Sequence, residues 1–164
     1  MLANTNTITR FYSAFARLDA KEMATCYAPK ARFDDPAFSL AGREEIGGMW
    51  AMLCNATKSK GLDAWRLEFS SVQADSRSGS AHWEAHYRFS ATGRLVHNII
   101  EAQFAFDTNN LITRHQDHFG FWRWSRQALG TPGLLLGWTP LLRNKVRATA
   151  AGNLKKYLAA KGKA

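Results

Sequence analysis

Two acidic residues and a histidine stand where proton transfer could be organised. Asp35 comes just before Pro36, while His115, Asp117 and Phe119 follow one another at steps of two. Side chains of a strand alternate between faces, so the last three share one face. A histidine titrates near neutrality, and a neighbouring carboxylate can fix its tautomer and raise its basicity. Brought together by a fold, Asp35, His115 and Asp117 could do acid–base work without a cofactor. Each residue also has a structural reading. Asp before Pro often caps a local turn, and a buried His–Asp pair can satisfy its own hydrogen bonds.

Other chemistries find less support. His82, Glu84 and His86 alternate along one strand face, two histidines and a carboxylate of metal-ligand type. They oppose the apolar face of Trp83, Tyr87 and Phe89, so a solvated or dimer-facing surface is expected and no metal. Phe121-Trp122-Arg123-Trp124 and Trp138 set aromatics beside arginines, as in single-strand binding grooves. These aromatics are expected to seal a core, so nucleic acid is not an expected partner. Cys26 and Cys54 form no Cys-x-x-Cys pair, which leaves no disulfide framework or cysteine zinc site and suits a reducing cytoplasm. Without a phosphate-binding glycine loop or a Gly-x-Ser-x-Gly elbow, nucleotide hydrolysis and serine hydrolase chemistry find no support.

The elements that must position these residues follow from periodicity. Ile8, Phe11, Tyr12, Phe15 and Leu18 make one helical stripe after a polar Asn-Thr-Asn-Thr start. Asp19 suits an N-cap, and Met23, Cys26 and Tyr27 continue the helical period until Pro29 stops it. Phe33-Asp34-Asp35-Pro36 is extended, because the residue before proline avoids helical angles. A third helix after Gly42 turns Ile46, Met49, Trp50 and Leu53 inward. From Trp65 the period is two, and polar clusters at 76–80, 92–93 and 107–110 break residues 64–120 into an antiparallel meander. Helical patterning returns after Trp124, with Thr131-Pro132 and Thr139-Pro140 each arranged as cap and first-turn proline. Helices first and sheet second make the class α+β.

The length of 164 residues suits one domain, and 46% hydrophobic with 12% aromatic content provides an ample core. The net charge of +9 is unevenly placed. Through Asp117, 13 basic and 13 acidic residues cancel; no acidic residue follows it. The tail repeats Leu142, Val146, Ala150, Leu154 and Leu158 at steps of four among lysines and arginines, a basic amphipathic helix. Its stripe is expected to pack on the body. The competing reading is a helix lying on an anionic membrane, with Leu134-Leu135-Leu136 and Trp138 inserted. No run approaches the ~20 apolar residues of a membrane span, and residues 1–9 lack signal-peptide features, so a soluble cytoplasmic protein is expected.

Three helices, an Asp-Pro just after the second and four long strands resemble the nuclear transport factor two-like cone fold over roughly residues 5–125. Within it, Phe33-Asp34-Asp35-Pro36, Gly42-Arg43-Glu44-Glu45-Ile46, Leu111-Ile112-Thr113-Arg114-His115 and Gln127-Ala128-Leu129-Gly130 are similar to SnoaL-like and ketosteroid-isomerase-like proteins. The resemblance implies a cone-shaped roll of curved, mostly antiparallel sheet with three N-terminal helices. Residues 1–125 form the domain and 126–164 a basic helical extension of it. It places Asp35 at the proton-shuttling carboxylate and turns His115, Asp117 and Phe119 to the cavity, beside Asn98, Ile100, Ala102 and Phe104. Phe11 and Ala102 occupy the positions of the family's two oxyanion donors, so authentic steroid isomerisation is not expected. The resulting expectation is a homodimer that binds a small hydrophobic molecule. Asp35, His115 and Asp117 would be catalytic, and Tyr27, Asn98, Ala102, Phe104 and Phe119 would contact the ligand. The alternative is a non-catalytic binding or interaction module of the same fold.

Overall fold

The computed structural model describes residues 2–162. In chain order they form α1 (Leu2–Ala16), α2 (Ala20–Thr25), β1 (Tyr27–Asp34), β2 (Ser39–Ala41), α3 (Arg43–Lys60), β3 (Arg66–Ala74), β4 (Ser78–Arg88), β5 (Leu95–Phe106), β6 (Ile112–His118), α4 (Phe121–Leu129), α5 (Thr131–Leu136) and α6 (Pro140–Lys161). The stripe Ile8, Phe11, Tyr12, Phe15 and Leu18 is buried throughout. The polar start before it belongs to α1, because its groups find tertiary partners. Asn4 Nδ2 donates to the Asp75 carbonyl at 2.7 Å, and Thr7 Oγ1 to that of Asn110 at 2.9 Å. Asp19 caps α2 by accepting from the Glu22 N–H at 3.0 Å.

The six strands lie in the order β2-β1-β6-β5-β4-β3. From β3 to β6 the sheet is the expected antiparallel meander, whereas β1 joins β6 in parallel. Tyr27 therefore opens a strand and does not close the second helix. Pro29 lies within β1, where the register with β6 shifts between Tyr27 and Arg32 and no ladder bond is asked of it. Further register shifts at Ser70/Gln73, where Ser71 has φ +52°, and at Ala105/Phe106 bend the long strands. The sheet curves around α1 and α3 without closing, the cone architecture.

Beyond β6, α4 starts at Phe121, earlier than the sequence pattern indicates, with Phe121 and Trp124 buried. Its Gln127 side chain completes the part of β5 that β6 does not reach: Oε1 accepts from the His97 N–H at 2.9 Å and Nε2 donates to the His97 carbonyl at 3.2 Å. Gly130, at φ +70°, turns the chain and stands at the N-cap of α5 in place of Thr131. Gly133 then presses on α4, where a Cβ would come within 1.9 Å of the Ser125 carbonyl oxygen. Thr139 caps α6 as expected. The α6 stripe packs on the body: Leu154 is buried, and Leu158 lies against Gly48 of α3. Arg147 Nη1 reaches the carbonyls of Asp35 and Pro36 at 3.4 and 3.3 Å, and Tyr157 accepts from Asn55 Nδ2 at 2.8 Å. No described helix is long and apolar enough to cross a membrane.

Candidate functional site

The sheet, α3, α4 and α6 enclose a mostly apolar cavity of about 870 Å³. Sheet residues Trp83, Ala85, Tyr87, Asn98, Ile100, Asp117 and Phe119 line one side, and Met49, Trp50, Leu53 and Trp124 come from α3 and α4. Leu53, expected inward, is part-exposed at this lining. Along α6, Leu142, Lys145, Val146, Thr149, Ala150 and Asn153 reach the same space at helical spacing, so the basic tail forms one wall.

Asp35 also lines the cavity, from the turn between β1 and β2. Its Oδ1 accepts from the backbone N–H groups of Ala37 and Phe38, each at 2.6 Å, which fixes the carboxyl against its own turn. Among the described residues its Oδ2 has no hydrogen-bond partner. Burial pushes the Asp35 carboxyl up to about 7, and the negative charge of Asp117 acts in the same direction. The N–H donors of Phe38 and Ala37 and the charge of Arg147 oppose that rise and are outweighed. Both the structural and the chemical reading of Asp35 therefore describe it: a turn cap whose free oxygen belongs to a group able to gain or lose a proton near neutrality.

Asp117 is buried at the cavity wall, where its Oδ1 accepts from Trp83 Nε1 at 3.3 Å and from His115 Nε2 at 3.0 Å. The other ring nitrogen, His115 Nδ1, lies 2.6 Å from the Tyr27 hydroxyl, which also accepts from Trp50 Nε1 at 3.1 Å. Donor counting assigns the protons. The Asp117 carboxylate only accepts, so His115 presents its Nε2–H to it, and the lone pair left on Nδ1 accepts from the Tyr27 hydroxyl. Burial also raises the Tyr27 hydroxyl well above the ordinary tyrosine range. The result is a continuous chain, Trp50 to Tyr27 to His115 to Asp117, whose two ends, Trp50 and Asp117, line the cavity.

The expected residues separate into two groups. Asp35, Asn98, Asp117 and Phe119 reach the cavity. His115, Tyr27, Ala102 and Phe104 lie behind its lining. His115 is 0% exposed, with the rings of Phe104, Phe33 and Phe11 at 4.4, 5.0 and 5.5 Å. Tyr27 has no donor left for a ligand carbonyl, because its hydroxyl is committed to His115. Phe11, placed by the resemblance where the isomerases keep a donor tyrosine, is packed edge-on against Tyr27, Trp50 and His115. Of the strand face expected toward the cavity, Asp117 and Phe119 line it, and aromatic packing closes over its deeper end at His115. Trp83, Tyr87, Trp124 and the α6 wall were not assigned to the site from sequence; the three-and-four spacing from Leu142 to Asn153 was the available signal for the last.

On the opposite face, Glu84 is shared between histidines: Oε1 lies 3.2 Å from His82 Nε2, and Oε2 lies 2.6 Å from His97 Nε2. Glu84, His86 and His97 bring one potential ligand atom each within 4.8 Å of one another. The His86 and His97 rings stack at 4.0 Å and 12°, so their in-plane lone pairs run nearly parallel and do not converge on one ion.

Residues 8–115 match the family model of the SnoaL-like domain. The chain belongs to the SnoaL-like family. No curated protein matches the sequence. Among solved structures, the SnoaL-like chain is similar to a ketosteroid-isomerase-like fold protein from Catenulispora acidiphila determined with trimethylamine, at 17% identity over 82% of this chain and 97% of that one, TM-score 0.63. A candidate polyketide cyclase from Xanthomonas campestris pv. campestris shares 18% identity over 77% and 97% of the two chains, TM-score 0.60. An LEH-like epoxide hydrolase from M. tuberculosis shares 14% identity over 82% and 93% of the two chains, TM-score 0.61. At these identities the likeness is one of fold, and SnoaL-like chemistry has to be argued from the cavity.

Proposed function

We propose that this SnoaL-like protein binds a small hydrophobic molecule in the cavity and transforms it by cofactor-free acid–base chemistry of the isomerase or cyclase kind. The observation that carries this reading is that Asp35, raised to about 7, lines the same apolar cavity as Asp117. Different environments around two carboxyl groups supply an acid and a base in one site. Asp35 transfers the proton, taking it from a carbon next to a carbonyl or delivering it to a leaving oxygen. Asp117 is the fixed acceptor, oriented by Trp83 and by the His115–Tyr27 chain behind it; these are positioning residues. Asn98, whose side chain has no hydrogen-bond partner among the described residues, offers an amide donor to a substrate oxygen.

Turnover of a panel of cyclic ketones, enones and epoxides tests the proposal. Asp35→Asn retains the Oδ1 acceptor for Ala37 and Phe38 but cannot exchange a proton, and a loss of about 10²- to 10⁴-fold is expected. Equal rates for wild type and Asp35→Asn would remove Asp35 from the mechanism. The second reading, a non-catalytic binder, is favoured by the aromatic packing where the family's oxyanion donors would stand. It predicts ligand binding without turnover by either protein.

A further inference from the structure

Most of the exposed large apolar side chains among the described residues lie on α5 and the turn after it. Trp138 is 75% exposed, Leu141 73% and Leu135 62%, and Leu134 and Leu136 are also open. They cluster at one corner of the molecule. Trp138 Nε1 donates to the Leu135 carbonyl at 3.0 Å, and exposed Trp122 of α4 donates to that of Leu134 at 3.2 Å. The backbone beneath is held rigidly, since both Gly133 and Gly137 press on Ser125 too closely for any Cβ. A folded monomer seldom spends five large apolar side chains on water without a partner for them.

The charge around the patch identifies the partner. Arg126 lies over the ring of exposed Trp122 at 4.9 Å, which borders the patch with a cation, and Arg143, two residues after Leu141, lies over the buried Phe121 ring at 5.3 Å. Arg123 and Lys145 are exposed nearby in sequence, and none of these four pairs with a carboxylate among the described residues. No acidic residue follows Asp117, so α4 to α6 carry only positive charge. An apolar wedge with an interfacial tryptophan and a rim of unpaired arginines is complementary to an anionic lipid surface, with leucines among the acyl chains and arginines at the headgroups.

We propose that the α5 face docks the protein on anionic membranes, with Leu134, Leu135, Leu136, Trp138 and Leu141 inserted at the interface. The patch adjoins the cavity rim, because Leu129, Pro132 and Leu142 line the cavity. Docking thereby brings the cavity beside the phase in which a hydrophobic molecule concentrates. That delivery step rests on the functional reading above; the docking itself does not.

Co-sedimentation of the full chain with phosphatidylcholine vesicles, with and without about one third phosphatidylglycerol, tests it. Wild type is expected to sediment with the anionic vesicles, less so at high salt, and Leu135→Glu to reduce binding at least about tenfold. Leu135 is mostly exposed, and an unchanged thermal melt checks that the variant folds. The combined variant Arg126→Ser, Arg143→Ser is expected to lose the preference for anionic over neutral vesicles. Failure to sediment with either vesicle, or equal binding by wild type and Leu135→Glu, overturns the proposal. So does a wild-type dimer that Leu135→Glu converts to monomer with no vesicle binding by either, which would assign the face to a second copy. Turnover measured without vesicles reports on the cavity separately.

Discussion

Removing one oxygen from each of two buried tyrosines is expected to change stability in opposite directions. Tyr12 and Tyr27 are both fully buried, and burial holds both hydroxyls protonated, well above the ordinary tyrosine range. The Tyr27 hydroxyl donates to His115 Nδ1 and accepts from Trp50 Nε1, so Tyr27→Phe leaves a buried acceptor and a buried donor unpaired. At about 1–3 kcal/mol for each of the two abandoned groups, the loss is about 2–6 kcal/mol. The Tyr12 hydroxyl has no partner among the described residues, while its ring stacks on Phe69 at 5.4 Å and lies 5.8 Å from Trp83. Tyr12→Phe keeps the ring and removes an unpaid desolvation, a gain of about 1 kcal/mol. Urea unfolding of the three proteins at one pH, with a common slope, measures both differences. Two changes of the same sign, or a clear loss from Tyr12→Phe, would refute the hydrogen-bond assignment on which the Tyr27–His115–Asp117 chain depends.

Two further outcomes follow from the packing and the charge. Gly133→Ala sets a methyl against the backbone of Ser125 and Arg126, which cannot swing aside, so α5 must shift at a cost of about 1–3 kcal/mol, measurable in the same urea experiment. Asp35 binds a proton more tightly in the folded chain than in the unfolded one. The stability this gives is complete below about 3.8 and is lost as pH rises through about 7. At about 1.4 kcal/mol per pH unit the ceiling is about 4 kcal/mol; water reaching a half-buried carboxyl lowers it toward about 2. Relative to Asp35→Asn, wild type should weaken by that amount from pH 4 to pH 7, and parallel stability curves would contradict the shift.

The fold was legible because its signals are local and repetitive: the stripe of α1, the Asp19 cap and the alternation through β3, β4 and β5 each survive into the structure. What escaped was set by distant partners. Tyr27 follows a helical period by itself but pairs in parallel with Ile112, some eighty-five residues on, and no local pattern announces that partner. Asp35 and Asp117 could be placed on a cavity because Pro36 and strand parity mark them. His115 has the same parity as Asp117, but parity gives a face and not a depth, and the rings of Phe11, Phe33 and Phe104 closed over it. The tail's contribution was half visible. Its stripe was seen, but the rotation that turns Leu142 and Val146 to the cavity and Leu154 to the core depends on where Arg147 and Tyr157 anchor the helix.

The claim that joins these observations is that Asp35 holds an exchangeable proton near neutrality inside the cavity. Titrating the Asp35 side-chain carboxyl carbon by NMR in the ligand-free protein tests it without any knowledge of the substrate. A midpoint near 7 is the predicted result. A midpoint near 3.8, the ordinary aspartate value, would mean that water and the Ala37 and Phe38 donors govern the group, and that Asp35 is a turn cap and not an acid–base residue.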